Sequence, residues 1–148
     1  MKYAPMLLLV AIASPAFSQV PTSWKVIHDK SGACQVAVPP DWAANAPLPG
    51  MAQAPKNQGD LSLAASPGKA LKPFNDPTQK ALMVDKMISN TDKLVFYANA
   101  PTKSDQPLTP YRAVAPGKDG TCSVMIAVRP GVTADTVSKI VATLSAAH

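Results

Sequence analysis

Two cysteines, two histidines and nine aspartates are the residues in this 148-residue chain best suited to chemistry. Cys34 opens the stretch "CQVAVPPDW", and Cys122 sits in "GTCSVMIAV". Neither belongs to a Cys-x-x-Cys pair, the arrangement that lowers a thiol pKa for redox work. In an oxidising compartment the default fate of two cysteines is one disulfide. Cys34 and Cys122 each lie near the head of an apolar strand pattern, so they are expected to bond to each other. His28 could join them in a metal site, but structural zinc takes four ligands and the other histidine is His148 at the terminus. Oxidation would also consume both thiolates. No metal and no cofactor are expected.

Nucleophilic catalysis would need a base beside a serine, and His28 is the internal candidate. Asp29 follows it directly and on a strand would point to the opposite face, away from the imidazole. No Gly-x-Ser-x-Gly and no glycine-rich phosphate loop are present, and the chain has no Glu for the usual carboxylate pair of glycoside chemistry. The catalytic set is empty. The reading is a non-catalytic binding or accessory module of unknown ligand. The alternative is a minor cell-envelope hydrolase whose site the sequence does not display.

Trp42, Leu48 and Met51 remain as a candidate partner surface. They lie in residues 39–59, punctuated by Pro39, Pro40, Pro47, Pro49 and Pro55 and without apolar periodicity. That composition predicts a long irregular loop, which in a compact domain is either functional or floppy. Trp42 is expected to fold back over a sheet edge, while residues 47–55 present a polyproline-type surface. Little stability should then depend on the loop.

The compartment follows from "MKYAPMLLLVAIASPAFSQ". One positive charge at Lys2, an apolar run from Met6 to Ala13 and small residues at Ala16 and Ser18 make an export signal, too short to span a bilayer. Cleavage is expected after Ser18, with Ala16 as the alternative. Residues 19–148 then form a single domain that is periplasmic or secreted, with no transmembrane segment. Without Lys2, 13 basic groups face 9 aspartates, a net charge of +4. The lysines are scattered singly and only two arginines exist, which argues against nucleic acid. A protein or envelope component is the expected partner, and a monomer the expected state.

These residues need elements to hold them. "WKVIHDKSGACQVAV" reads as a hairpin with His28 opposite Cys34, Val26 opposite Val36 and Trp24 opposite Val38. "DLSLAAS" alternates Leu61, Leu63 and Ala65 inward as a third strand. "NDPTQKALMVDKMIS" starts a helix with Asp76 as cap, Pro77 in the first turn and Gln79 completing a capping box, and Ala81, Val84, Met87 and Ile88 share a face. "KLVFYANA" is a strand with Leu94, Phe96 and Ala98 on one side. "TPYRAVAPGKDGTCSVMIAVRP" is a hairpin pairing Pro116 with Thr121, Ala115 with Cys122, Ala113 with Val124 and Tyr111 with Ile126. "TADTVSKIVATLSAA" closes the chain as a helix capped by Thr133, with Val137, Ile140, Val141 and Leu144 at helical spacing. The fold class expected is α+β, a mainly antiparallel sheet of about six strands with two helices packed on it.

A hairpin ending in "VAVPPDW", a mid-chain helix, a run of strands and a closing helix ending "IVATLS" resembles the PsbP-like fold. That family of extrinsic photosystem subunits and a Ran-binding factor is an α/β/α sandwich, and the resemblance covers roughly residues 24–146. It implies a role in binding and brings no shared catalytic residues, so none is carried over. The Pro-rich insertion departs from the family's compact pattern.

Overall fold

In the computed structural model, which describes residues 20–148 apart from the side chains of Gln79, Leu82 and Met83, a carboxylate sets the first hairpin. Strand β1 runs over Lys25–His28 and β2 over Cys34–Val38. Between them Asp29 accepts from the Ser31 amide at 2.9 Å and the Ser31 hydroxyl at 2.5 Å. Its other oxygen accepts from the Cys34 amide at 2.8 Å. Gly32, at φ +75°, makes the reversal that a residue with a Cβ would resist. This turn shifts the register by one from the expected pairing, to Ile27 opposite Val36 and His28 opposite Gln35. Ile27 therefore faces the core, while Val26 is 44% exposed.

The chain continues with β3 (Ala43–Ala44), β4 (Met51–Gln53), β5 (Gly59–Pro67), helix α1 (Pro77–Met83), β6 (Lys86–Asn90) and β7 (Val95–Ala98). It ends with β8 (Thr109–Pro116), β9 (Gly120–Val128), helix α2 (Ala134–Val141) and β10 (Ser145–Ala146). The strands form two antiparallel sheets, one of three in the order β1-β2-β10 and one of seven in the order β3-β4-β5-β9-β8-β7-β6. The fold is mostly β. The expected α+β sandwich, six strands carrying two packed helices, is overturned by this second sheet and by the small helical content.

Two local competitions explain the difference. Asp76 caps α1 by accepting from the Thr78 amide at 2.8 Å, as expected. The helix nevertheless ends at Val84, whose backbone is extended, and the Asp85 amide donates to the Ala98 carbonyl at 2.9 Å. Met87 and Ile88 thus join β6, where sheet pairing outweighs a short helix that gains little from packing. The described side chains of α1 are exposed apart from the capping residue Val84, and the capping-box role of Gln79 falls outside the described residues. Helix α2 starts as expected, with Thr133 accepting from the Thr136 amide, and buries Val137, Ile140 and Val141. It stops at Ala142. The Thr143 hydroxyl donates to the Ile140 carbonyl and accepts from the Ala37 amide, and β10 then pairs with β2.

The Pro-rich segment also has order that its composition conceals. Trp42 is 2% exposed, Ala52 and Ala54 are buried, and β4 pairs with β5. Gly50, at φ +82°, sits so close that a Cβ would lie 3.3 Å from the Asp29 Cα and from the Leu63 carbonyl oxygen. The expected irregular loop over 39–59 is instead a two-strand flap that extends the large sheet. The Ala46–Pro47 peptide bond is cis.

The β8–β9 hairpin has the expected register throughout. Its inward residues Ala113, Val124 and Ile126 join Leu61 and Leu63 of β5, Ile27, Val36 and Val38 of the small sheet, and the buried face of α2 in one core. Cys34 of β2 and Cys122 of β9 are bonded, with their Cα atoms 5.6 Å apart and a sequence separation of 88. The disulfide crosses that core and ties the two sheets together. Among the described residues no helix is long and apolar enough to cross a membrane; the export signal expected over 1–18 lies outside them.

Candidate functional site

The residues singled out for chemistry are only partly brought together. Both cysteines are consumed in a disulfide that is almost wholly buried. Asp29, Ser31 and Cys34 meet in the first turn, but His28 points from exposed β1 opposite Gln35 and takes no part. Burial pushes the Asp29 carboxyl up, yet the hydrogen bonds from Ser31 and the Cys34 amide outweigh it and hold the pKa below the ordinary Asp value. A carboxylate satisfied in this way locks a turn and is not aimed at an imidazole. Among the described residues no group of three or more His, Cys, Asp or Glu could hold a metal ion.

The open chemistry lies on the other side of the large sheet. Strand side chains alternate between faces, so with Leu61, Leu63, Val124 and Ile126 in the core, Ser62 and Met125 point outward. Direct pairing then lines up Met51, Ser62, Met125, Arg112 and Tyr97 across β4, β5, β9, β8 and β7. At the Met51 end of this row a hollow of about 370 Å³ is lined by Ala46, Pro47, Met51, Ser62, Met125 and Ala127 among others. Met125 is 59% exposed there.

At the Arg112 end a second hollow of about 320 Å³ lies under the segment that follows β5, with Lys69, Lys72, Phe74, Arg112 and Ser123 in its lining. The segment is pinned across the sheet. The Phe74 amide donates to the Asn90 side-chain oxygen at 2.9 Å, and the Asn90 amide group donates to the Phe74 carbonyl at 3.1 Å. The Phe74 ring meets Tyr97 edge-on at 5.5 Å.

Of the three residues expected on a partner surface, the structure puts Met51 in the first hollow and leaves Leu48 exposed outside its lining. Trp42 is buried in the core and offers no partner surface. Met125 was missed. Its signal was available, since it is the large apolar residue on the otherwise polar side of "TCSVMIAV".

No protein-family model matches the chain, and no curated protein matches it. A crystal structure from Bacteroides thetaiotaomicron VPI-5482 is similar over 84% of this chain and 48% of its own, with 16% identity and a TM-score of 0.57. The chain spans about half the length of that neighbour. At this identity the likeness concerns the fold alone, and it bears neither for nor against the PsbP-like resemblance.

Proposed function

We propose that the protein is an exported, non-catalytic binding module that takes its ligand on the outer face of the seven-stranded sheet. The observation that carries this reading is the apolar hollow between Met51 and Met125, on the side of the sheet away from the core, where Met125 is 59% exposed. Thioether side chains are flexible and polarisable, which suits a surface that must adapt to what it holds. Concave, mostly apolar sites with a few polar groups are the usual form of a ligand site. Export is supported by the leader-like residues 1–18 and by a disulfide that persists only where thiols are oxidised.

A photo-crosslinking residue in place of Met125, in the full chain expressed in its own host, tests the site. The expected result is a light-dependent adduct on a protein whose mature N-terminus is Gln19. The same residue in place of Lys118, at the tip of the β8–β9 hairpin, should give none. Equal adducts at both positions, or none at Met125, would overturn the reading.

A further inference from the structure

The two hollows differ in character and their linings are neighbours: Met125 of the first and Arg112 of the second are directly opposed on β9 and β8. On one side the lining is mostly apolar, with two thioethers, prolines and alanines, and Asp60 is its one charged residue. On the other, Lys69, Lys72 and Arg112 line a single hollow with no carboxylate among its lining residues. The chain has aspartates to spare, and among the described residues none forms an ion pair with these three; the ion pair present is Lys139 with Asp135 on α2. Like charges gathered without a counter-ion repel, and the repulsion is relieved when an anion enters. Asp60 lines the apolar hollow two residue pairs away from the Met125 row, on the same face, so negative charge is disfavoured at that end.

We propose that this face binds a single-chain anionic amphiphile, with its carboxylate or phosphate among Lys69, Lys72 and Arg112 and its hydrocarbon chain running over Met125 toward Met51 and Pro47. The inference rests on the outer-face reading above and adds to it the chemistry of the ligand. The Ser66 hydroxyl lies in the same lining and supplements the cations. Phe74 gives the head-group end an apolar wall, held in place by its bonds to Asn90. Each hollow lies at the lower end of the roughly 300–1,000 Å³ range of small-ligand sites, which favours one chain over a bilayer patch.

Calorimetry on the purified mature protein, with each amphiphile below its micelle concentration, provides the test. Laurate and dodecyl phosphate should bind with one-to-one stoichiometry. Dodecyltrimethylammonium and inorganic phosphate should bind at least about tenfold more weakly, since each lacks one half of the recognition. Arg112→Gln combined with Lys69→Gln and Lys72→Gln should weaken laurate by at least about tenfold and flatten its salt dependence, with an unchanged melting temperature. Met125→Asp should weaken laurate and dodecyl phosphate alike. Equal affinity for the cationic amphiphile, or indifference to the triple substitution, would overturn the assignment. Sedimentation with phosphatidylglycerol vesicles and no uptake of monomeric laurate would overturn it in favour of a membrane surface. If the Met125 photo-adduct forms but no anionic amphiphile binds, this inference fails alone. If both fail, the outer-face reading falls with it.

Discussion

Asp29 closes the first turn through both carboxylate oxygens, so its replacement tests whether that turn sets the register of the N-terminal hairpin. A carboxyl whose folded pKa is depressed contributes stability that is fully present above its unfolded value, about 3.9. The contribution is lost as pH falls through the folded value. Asp29→Asn should therefore cost about 1.5–3 kcal/mol at neutral pH, the range for hydrogen bonds to a charged group. In urea unfolding, the gap to the wild type should narrow steadily below about pH 4; a gap that widens on acidification would contradict the argument. Cys122→Ala should cost about 2–5 kcal/mol and leave Cys34 free to label, whereas the unfolded, unreduced wild type should carry no reactive thiol. The disulfide was legible because two cysteines on apolar strand faces admit one pairing. The turn was not, because Val26 and Ile27 are both apolar and either could face inward until the carboxylate chooses.

At the scale of elements, the Pro-rich flap reverses an expectation. Read from composition, it should be replaceable at little cost. In the structure it supplies the buried Ala52 and Ala54, and the Gly50 carbonyl accepts from the Leu63 amide at 2.8 Å. Replacing residues 46–56 with a Gly/Ser linker should therefore be as damaging as Trp42→Ala, about 3–5 kcal/mol by the usual cost of deleting a buried aromatic. Parallel urea curves for the two variants decide it, and a linker variant within about 1 kcal/mol of wild type would restore the loop reading. Strands of two and three residues are too short to show a period, and buried alanines give little hydrophobic signal. The β8–β9 hairpin was legible because a short glycine-bearing loop sets one register that runs through eight residue pairs without a bulge. Met87, Ile88 and Leu144 continued a helical period on paper. Strand partners, the adjacent β7 and the sequence-distant β2, took over the chain before the helices could reach them. The apolar hollow was half legible through Met51. Arg112 and Lys69 were not, since only the sheet and the segment crossing it bring them together.

At the scale of the whole molecule, two sheets enclose one core, stapled by a bond between β2 and β9. β2 is flanked on both sides, by β1 over Gln35–Val38 and by β10 at Cys34 and Gln35. A chain ending at Leu144 should keep the large sheet but self-associate, since a bare edge of apolar residues recruits other strands. Light scattering during refolding would show it, and a truncated chain that stays monomeric would mean that β10 is dispensable. The position of β2 has a further consequence during biosynthesis. It is made early, and one of its two neighbours is the last strand of the fold. Until the whole chain has reached the compartment where it folds, "CQVAV" therefore stands with one side unpaired and no charge of its own to deter partners. Until β10 pairs with it the unfolded chain is a natural client for holding chaperones, and its dependence on them should end once Ser145 and Ala146 have docked on β2.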